Sequence, residues 1–248
     1  MDRLIYTSLS GLRGAMHRQT VTANNLANIS TTGFRREMSV AQSQWITGAG
    51  GLNTRAVARE EVAAADMLSG EVSNTGRPLD IALNADALLT VQAENGEESY
   101  TRRGDLKLSD TGLLTTGDGH PVQGDQGPVT IPPADSIRID DDGSLWIVPA
   151  GGDPNAPQRV DRLKLVSPQG SDVVKGMDGL FRVRGGGALP ADPQARLTPN
   201  SLEGSNVEAT QALIDMIDAS QMWDNQNKLI ATARDLDAAG TELMRMPS

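Results

Sequence analysis

The chain has 248 residues, room for one or two domains with a real core, and carries 22 Lys plus Arg against 32 Asp plus Glu, a formal net charge of −10. This acidic balance argues against general nucleic-acid binding, and the absence of cysteine excludes disulfides, Cys-ligated zinc, iron–sulfur clusters and thiol catalysis. With 2 Phe, 3 Trp and 2 Tyr beside 26 Gly and 13 Pro, the composition points to a turn-rich chain without a large aromatic core.

From Ile5 the apolar positions Ile5, Leu9, Leu12, Met16, Ala23 and Leu26 follow steps of four and three, broken at Gln19, and predict a coiled-coil-like helix ending near Asn28. The same spacing fits an ordinary amphipathic helix packed on its own domain. No apolar run reaches the length of a membrane span, and the start is too polar for a signal peptide, so neither membrane insertion nor a cleavable export signal is expected. Residues 31–76 mix small, polar and Gly-rich stretches and read as an extended connector with short strands.

Between about 77 and 200 the period changes to two, in Leu106-Lys107-Leu108, Ser136-Ile137-Arg138-Ile139 and Leu145-Trp146-Ile147-Val148. Turn formers at Asn95-Gly96, Asp110-Thr111-Gly112, Asp118-Gly119, Asp125-Gln126-Gly127 and Asp142-Gly143 separate the runs, which predicts a compact, mainly antiparallel all-β domain. Ser205-Asn206-Val207-Glu208 reads as a capping box opening a second helix within 201–248. Downstream, Ala212, Ala219, Met222, Gln226, Leu229, Ala233, Leu236, Gly240 and Leu243 keep the four-three rhythm, broken at Asp215, while Met216, Trp223 and Ile230 widen the stripe. At about 1.5 Å per residue that helix spans about 60 Å, too long for a small β domain to cover. Residues 1–30 carry a net charge of +2 and residues 205–248 one of −4, so the terminal helices are electrostatically complementary. The expected fold class is therefore α+β: N- and C-terminal helices forming a coiled-coil-like bundle, and a central β domain.

Several blocks carry a resemblance. Thr22-Ala23-Asn24-Asn25-Leu26-Ala27-Asn28 followed by Ser30-Thr31-Thr32-Gly33-Phe34-Arg35-Arg36 resembles the N-terminal signature of flagellar rod and hook axial proteins. Gly76-Arg77-Pro78-Leu79-Asp80-Ile81-Ala82, Tyr100-Thr101-Arg102-Arg103-Gly104-Asp105, Gly112-Leu113-Leu114-Thr115-Thr116 and Leu202-Glu203-Gly204-Ser205-Asn206-Val207 continue it in order along the whole chain. Within the family the opening residues and modest length resemble a proximal-rod type, with the distal-rod type as nearest rival. One departure is Ala85-Asp86-Ala87-Leu88-Leu89, where the family often has a glycine and two aromatics.

The resemblance implies a structural subunit of the basal-body rod in the periplasm, with no cofactor. Its terminal helices would form the inner tube of a helical assembly, its partners being copies of itself, other rod proteins and the flagellar type III export apparatus. The residues expected to carry assembly are Ile5, Leu9, Leu12, Met16, Asn24, Asn25, Leu26, Asn28, Met222, Trp223, Leu229, Ile230, Leu236 and Leu243. The asparagine amides can each donate and accept, which suits backbone groups where the helix ends.

Enzymatic chemistry finds no constellation. His17 and His120 stand apart, Asp140-Asp141-Asp142-Gly143 lacks the spacing of a calcium loop and reads as a hairpin turn, and no glycine cluster has the setting of a phosphate loop. A secreted, oligomeric β module that binds glycans is the competing reading, weakened by the scarcity of aromatics in the β region.

Overall fold

The N-terminal helix α1 (Asp2–Ala27) is ended by a turn in which Thr31 N donates to Asn28 O at 3.1 Å and Phe34 N to Thr31 O at 3.2 Å. The computed structural model describes residues 2–45, 56–176 and 178–245, with side chains described for 9–39, 65–176, 178–236 and 238–241. Strands β1 (Glu37–Trp45) and β2 (Ala56–Ala65) pair with each other, so the connector holds a hairpin of long strands rather than short ones.

The chain then runs through β3 (Val72–Asn74), β4 (Ile81–Leu83), β5 (Leu88–Gln92), β6 (Glu98–Thr101), β7 (Leu106–Leu108), β8 (Leu114–Thr116), β9 (Gln123–Gly124) and β10 (Gly127–Pro128). It continues with β11 (Ala134–Ile139), β12 (Ser144–Pro149), β13 (Gln158–Arg162), β14 (Leu165–Val166), β15 (Val173–Lys175), β16 (Phe181–Val183), β17 (Leu197–Pro199) and β18 (Ser201–Glu203), and closes with α2 (Ala209–Arg245). Two compact units result. One takes the residues up to Ala27, Glu37–Ala63 and those from Glu208 on; the other takes Asn28–Arg36 and Ala64–Val207.

In the β unit the largest sheet has the order β14-β5-β6-β16-β15, and β11-β12-β13 form a second sheet, all pairs antiparallel. Strand β5 is buried on both faces because its alternating side chains serve two cores. Leu89 and Val91 enter a large aliphatic cluster with Leu106, Leu114, Ile139 and Leu145, whereas Leu88 joins Tyr100, Val166, Phe181 and Leu189 on the other side. Two of the seven aromatics, Tyr100 and Phe181, anchor the smaller core. Asp140 to Ser144 is a hairpin turn between β11 and β12, where Gly143 takes φ +85° and its N–H donates to Asp140 O at 3.0 Å.

In the helical unit the structure corrects the expected bundle. It has one N-terminal and one C-terminal helix beside a mostly β middle, and long terminal helices forming a coiled-coil bundle are not what it shows. The reason is visible in what is buried. Helices α1 and α2 lie against each other, but the buried apolar positions are mostly small: Ala15 beside Val21 on α1, and Ala212, Ala219 and Ala233 on α2. A Cβ at Gly11 would stand 3.0 Å from the Gln226 side chain. Leu9, Met16, Met222, Leu229 and Leu236, which a coiled-coil seam would bury as knobs, are exposed.

The capping box is also corrected. Helix α2 begins one residue after Glu208, whose carbonyl accepts from Ala212 N at 2.9 Å; Ser205 Oγ accepts instead from Val207 N at 3.2 Å. The segment before the helix stays extended because Asn206 is held by other partners, described below.

Candidate assembly site

On α2, Ala212, Ala219, Gln226 and Ala233 recur every seven residues and form the row that meets α1. Met222, Leu229 and Leu236 form a second seven-residue row about 60° further round the helix, and they are 40%, 55% and 54% exposed. Leu9 and Met16 are exposed on α1, while Leu12, Leu26, Trp223 and Ile230 are half-buried. The Trp223 indole Nε1 is buried without a hydrogen-bond partner among the described residues. Leu213, Ile214 and Ile217 are further exposed apolar residues on α2, off the inferred stripe. The side chains of Ile5 and Leu243 lie outside the described residues.

The three asparagines differ. Asn25 is buried, and its amide closes a pair of bonds on the main chain of Glu37: Nδ2 donates to Glu37 O at 2.9 Å, and Glu37 N donates to Asn25 Oδ1 at 2.8 Å. It thereby acts as one rung of a β ladder, tying the end of α1 to the start of β1. Asn28 is half-buried, with its Oδ1 accepting from Thr31 Oγ1 at 3.1 Å, and Asn24 is exposed.

A second constellation lies inside the β unit, at residues the sequence reading quoted but assigned no role. Arg35, Arg102 and Glu203 are all buried. Arg102 donates through Nε and Nη2 to Glu203 Oε2 at 3.1 and 2.6 Å, through Nη1 to Ala85 O and Ala87 O at 2.6 and 2.7 Å, and through Nη2 to Leu83 O at 2.9 Å. All five of its N–H groups are satisfied. Burial, and then the neighbouring charge of Arg35, pull the Arg102 guanidinium below its usual range, against the attraction of Glu203.

Arg35 Nη2 stands 2.8 Å from Glu203 Oε1 as an ion pair that lacks the alignment of a hydrogen bond; its Nε and Nη1 have no hydrogen-bond partner among the described residues. Glu203 Oε1 also accepts from Gly70 N at 2.9 Å, and Glu203 O accepts from Gly33 N at 2.8 Å. Only glycine fits at position 33: its φ is +66°, and a Cβ there would lie 2.4 Å from Arg102 O.

Asn206 completes the junction. Its Oδ1 accepts from Arg36 N at 2.7 Å, its Nδ2 donates to Asp66 O and Leu68 O at 2.9 Å each, and its own N–H donates to Phe34 O at 3.3 Å. Lys175 Nζ lies 3.6 Å from the centroid of the Phe34 ring and donates to Arg35 O at 3.2 Å. The signal in the sequence was the presence of charged residues inside each of three separated blocks. Nothing in the chain order indicates that one carboxylate serves two arginines.

Among the described residues, no group of three or more His, Asp or Glu could hold a metal ion, and no helix is long and apolar enough to cross a membrane.

The junction joins three blocks of the chain, and the family comparisons divide it in the same sense. Residues 5–35 match the model described as flagella basal body rod protein, residues 82–147 that of the flagellar hook protein FlgE/F/G D1 domain, and residues 198–243 that of the flagellar basal body rod FlgEFG protein C-terminal. This order is that of the axial rod and hook proteins as a class. Over 99% of its length the chain is 39% identical to the flagellar basal-body rod protein FlgF of Salmonella typhimurium, covering 100% of that protein, and equally to that of Escherichia coli K12. It is 29% identical to the flagellar basal-body rod protein FlgG of Bacillus subtilis, over 95% of this chain and 97% of that one. The chain belongs to the flagellar basal-body rod proteins, of the FlgF type. It is a structural subunit of the basal-body rod.

Proposed function

We propose that the chain works as a proximal-rod subunit, assembling helically with copies of itself and with other rod proteins to form part of the drive shaft, and that it catalyses no reaction. The exposed row Met222, Leu229 and Leu236 supports this reading, because three large apolar side chains on one helix face are costly to leave in water and α1 does not cover them. Assembly covers that row and the exposed residues Leu9 and Met16, and Asn25 sets the position of the hairpin relative to α1 within each subunit. The chain reaches the periplasm through the flagellar type III export apparatus and binds no nucleic acid.

Leu229→Asp tests the reading. Because Leu229 is exposed in the monomer, its carboxylate stays hydrated there, and the melting temperature and export are expected to be unchanged. In the assembly the charge has to be buried, at a cost of several kcal/mol per subunit. Incorporation into basal bodies and motility are expected to be lost. Normal incorporation of the variant would show that this row is not an assembly surface.

A further inference from the structure

We infer that Glu203 is a fastening point: one buried carboxylate to which both connector segments of the β unit, residues 28–36 and 201–207, are tied, with Arg102 as the anchor in the sheet and Arg35 as the grip on the N-terminal connector. Four observations carry it. Glu203 lies on the C-terminal connector and uses both carboxylate oxygens, Oε2 on Arg102 and Oε1 on Arg35 and on Gly70 N. Its main-chain carbonyl accepts from Gly33, so the two connectors are also joined through backbone. Arg102 is the better-held arginine, since three carbonyls of residues 83–87 fix its guanidinium independently of Glu203. Arg35 has no such support, and Glu203 is its sole ionic partner among the described residues.

The arrangement is directional. Arg102 and Glu203 form a neutral pair that belongs to the sheet, and Arg35 adds a second positive charge whose attraction holds its segment against that pair. In a rod subunit, tension along either connector pulls against the same carboxylate, and neither segment peels away without uncovering a buried charge. Only this statement about load rests on the rod reading. The fastening itself is a property of the purified chain, and Leu229→Asp does not touch it, so the two readings fail separately.

The test is residue-resolved amide hydrogen exchange on the full-length monomer. Gly33 and Asn206 report the connectors, Gly70 reports Glu203 Oε1, and Leu89 and Val91 report the core. Arg35→Met keeps the Arg102–Glu203 pair, and is expected to speed exchange at Gly33 and Asn206 by tenfold or more while Leu89 and Val91 are unchanged. Glu203→Gln is expected to speed exchange at Gly33 and Asn206 at least as much and to release Gly70 as well, with a smaller rise at Leu89 and Val91 because buried Arg102 also loses its counter-charge. The double variant is expected to exchange no faster at Gly33 than Glu203→Gln alone, since both changes remove one interaction. Unchanged exchange at Gly33 in Arg35→Met, an equal rise at Leu89, or additive effects in the double variant would each overturn the inference. Should Glu203→Gln not fold, Arg35→Met decides the question by itself.

Discussion

At the scale of single residues, two positions are held outside their ordinary state. Ala85 adopts φ +47°, in the left-handed region that a Cβ disfavours, and Arg102 Nη1 donates to its carbonyl at 2.6 Å. Glycine in that place removes the clash, and Ala85→Gly is expected to raise stability by about 1 kcal/mol, read as a higher urea midpoint. Tyr100 is fully buried, its hydroxyl donating to Glu98 Oε1 at 2.9 Å and accepting from Leu189 N at 2.6 Å; burial above all pushes its pKa from 10.0 up to about 12. The folded chain therefore keeps this proton at pH values where the unfolded chain has lost it. The stabilisation is complete below pH 10 and is lost as pH rises towards about 12, at most about 2 to 3 kcal/mol. Thermal melts from pH 9 to 12 should fall more steeply for the native chain than for Tyr100→Phe.

At the scale of elements, much was legible in the sequence. The three alternating runs read as strands lie in β7, β11 and β12, and Asp142-Gly143 is the turn between the last two. Both helices were visible because their apolar periods are long and uninterrupted by proline. What periodicity could not show is which part of a stripe faces a neighbour. A stripe containing both alanines and leucines reads as a seam of leucines, yet the small residues sit in the contact and the large ones beside it, since alanine lets two helices approach closely. Ala219→Leu accordingly places a large side chain in that contact and is expected to destabilise the helical unit by about 1 to 3 kcal/mol, seen as lost helicity in circular dichroism. The β1–β2 hairpin was read as connector because residues 38–76 show neither clear alternation nor a tight-turn pair. The ionic junction was invisible for a different reason: its bonds span 101 residues, from Arg102 to Glu203, and only the folded sheet brings the partners together.

At the scale of the whole chain, the boundaries of a self-sufficient β unit follow from the junction. A fragment of residues 77–200 contains Arg102 but not Glu203, and lacks the pairing of β3 with β18. It leaves a buried guanidinium without its carboxylate, a loss of about 3 to 5 kcal/mol. A fragment of residues 64–207 retains the neutral Arg102–Glu203 pair and omits only Arg35 of the three. The longer fragment is expected to fold cooperatively and the shorter one to be largely unfolded, as judged by dispersion in NMR spectra and by urea melts.

Asn206 Nδ2 reaches Asp66 O at 2.9 Å, so the long excursion of the chain through the β unit starts and finishes at neighbouring points. Such an excursion behaves as a cassette: its contents can be lengthened, shortened or exchanged while the path of the chain at its base is unchanged. Variation in the size of the β unit is therefore mechanically cheap, and a reporter domain whose own ends lie close together is best spliced into the exposed Gly185-Gly186-Gly187 bend.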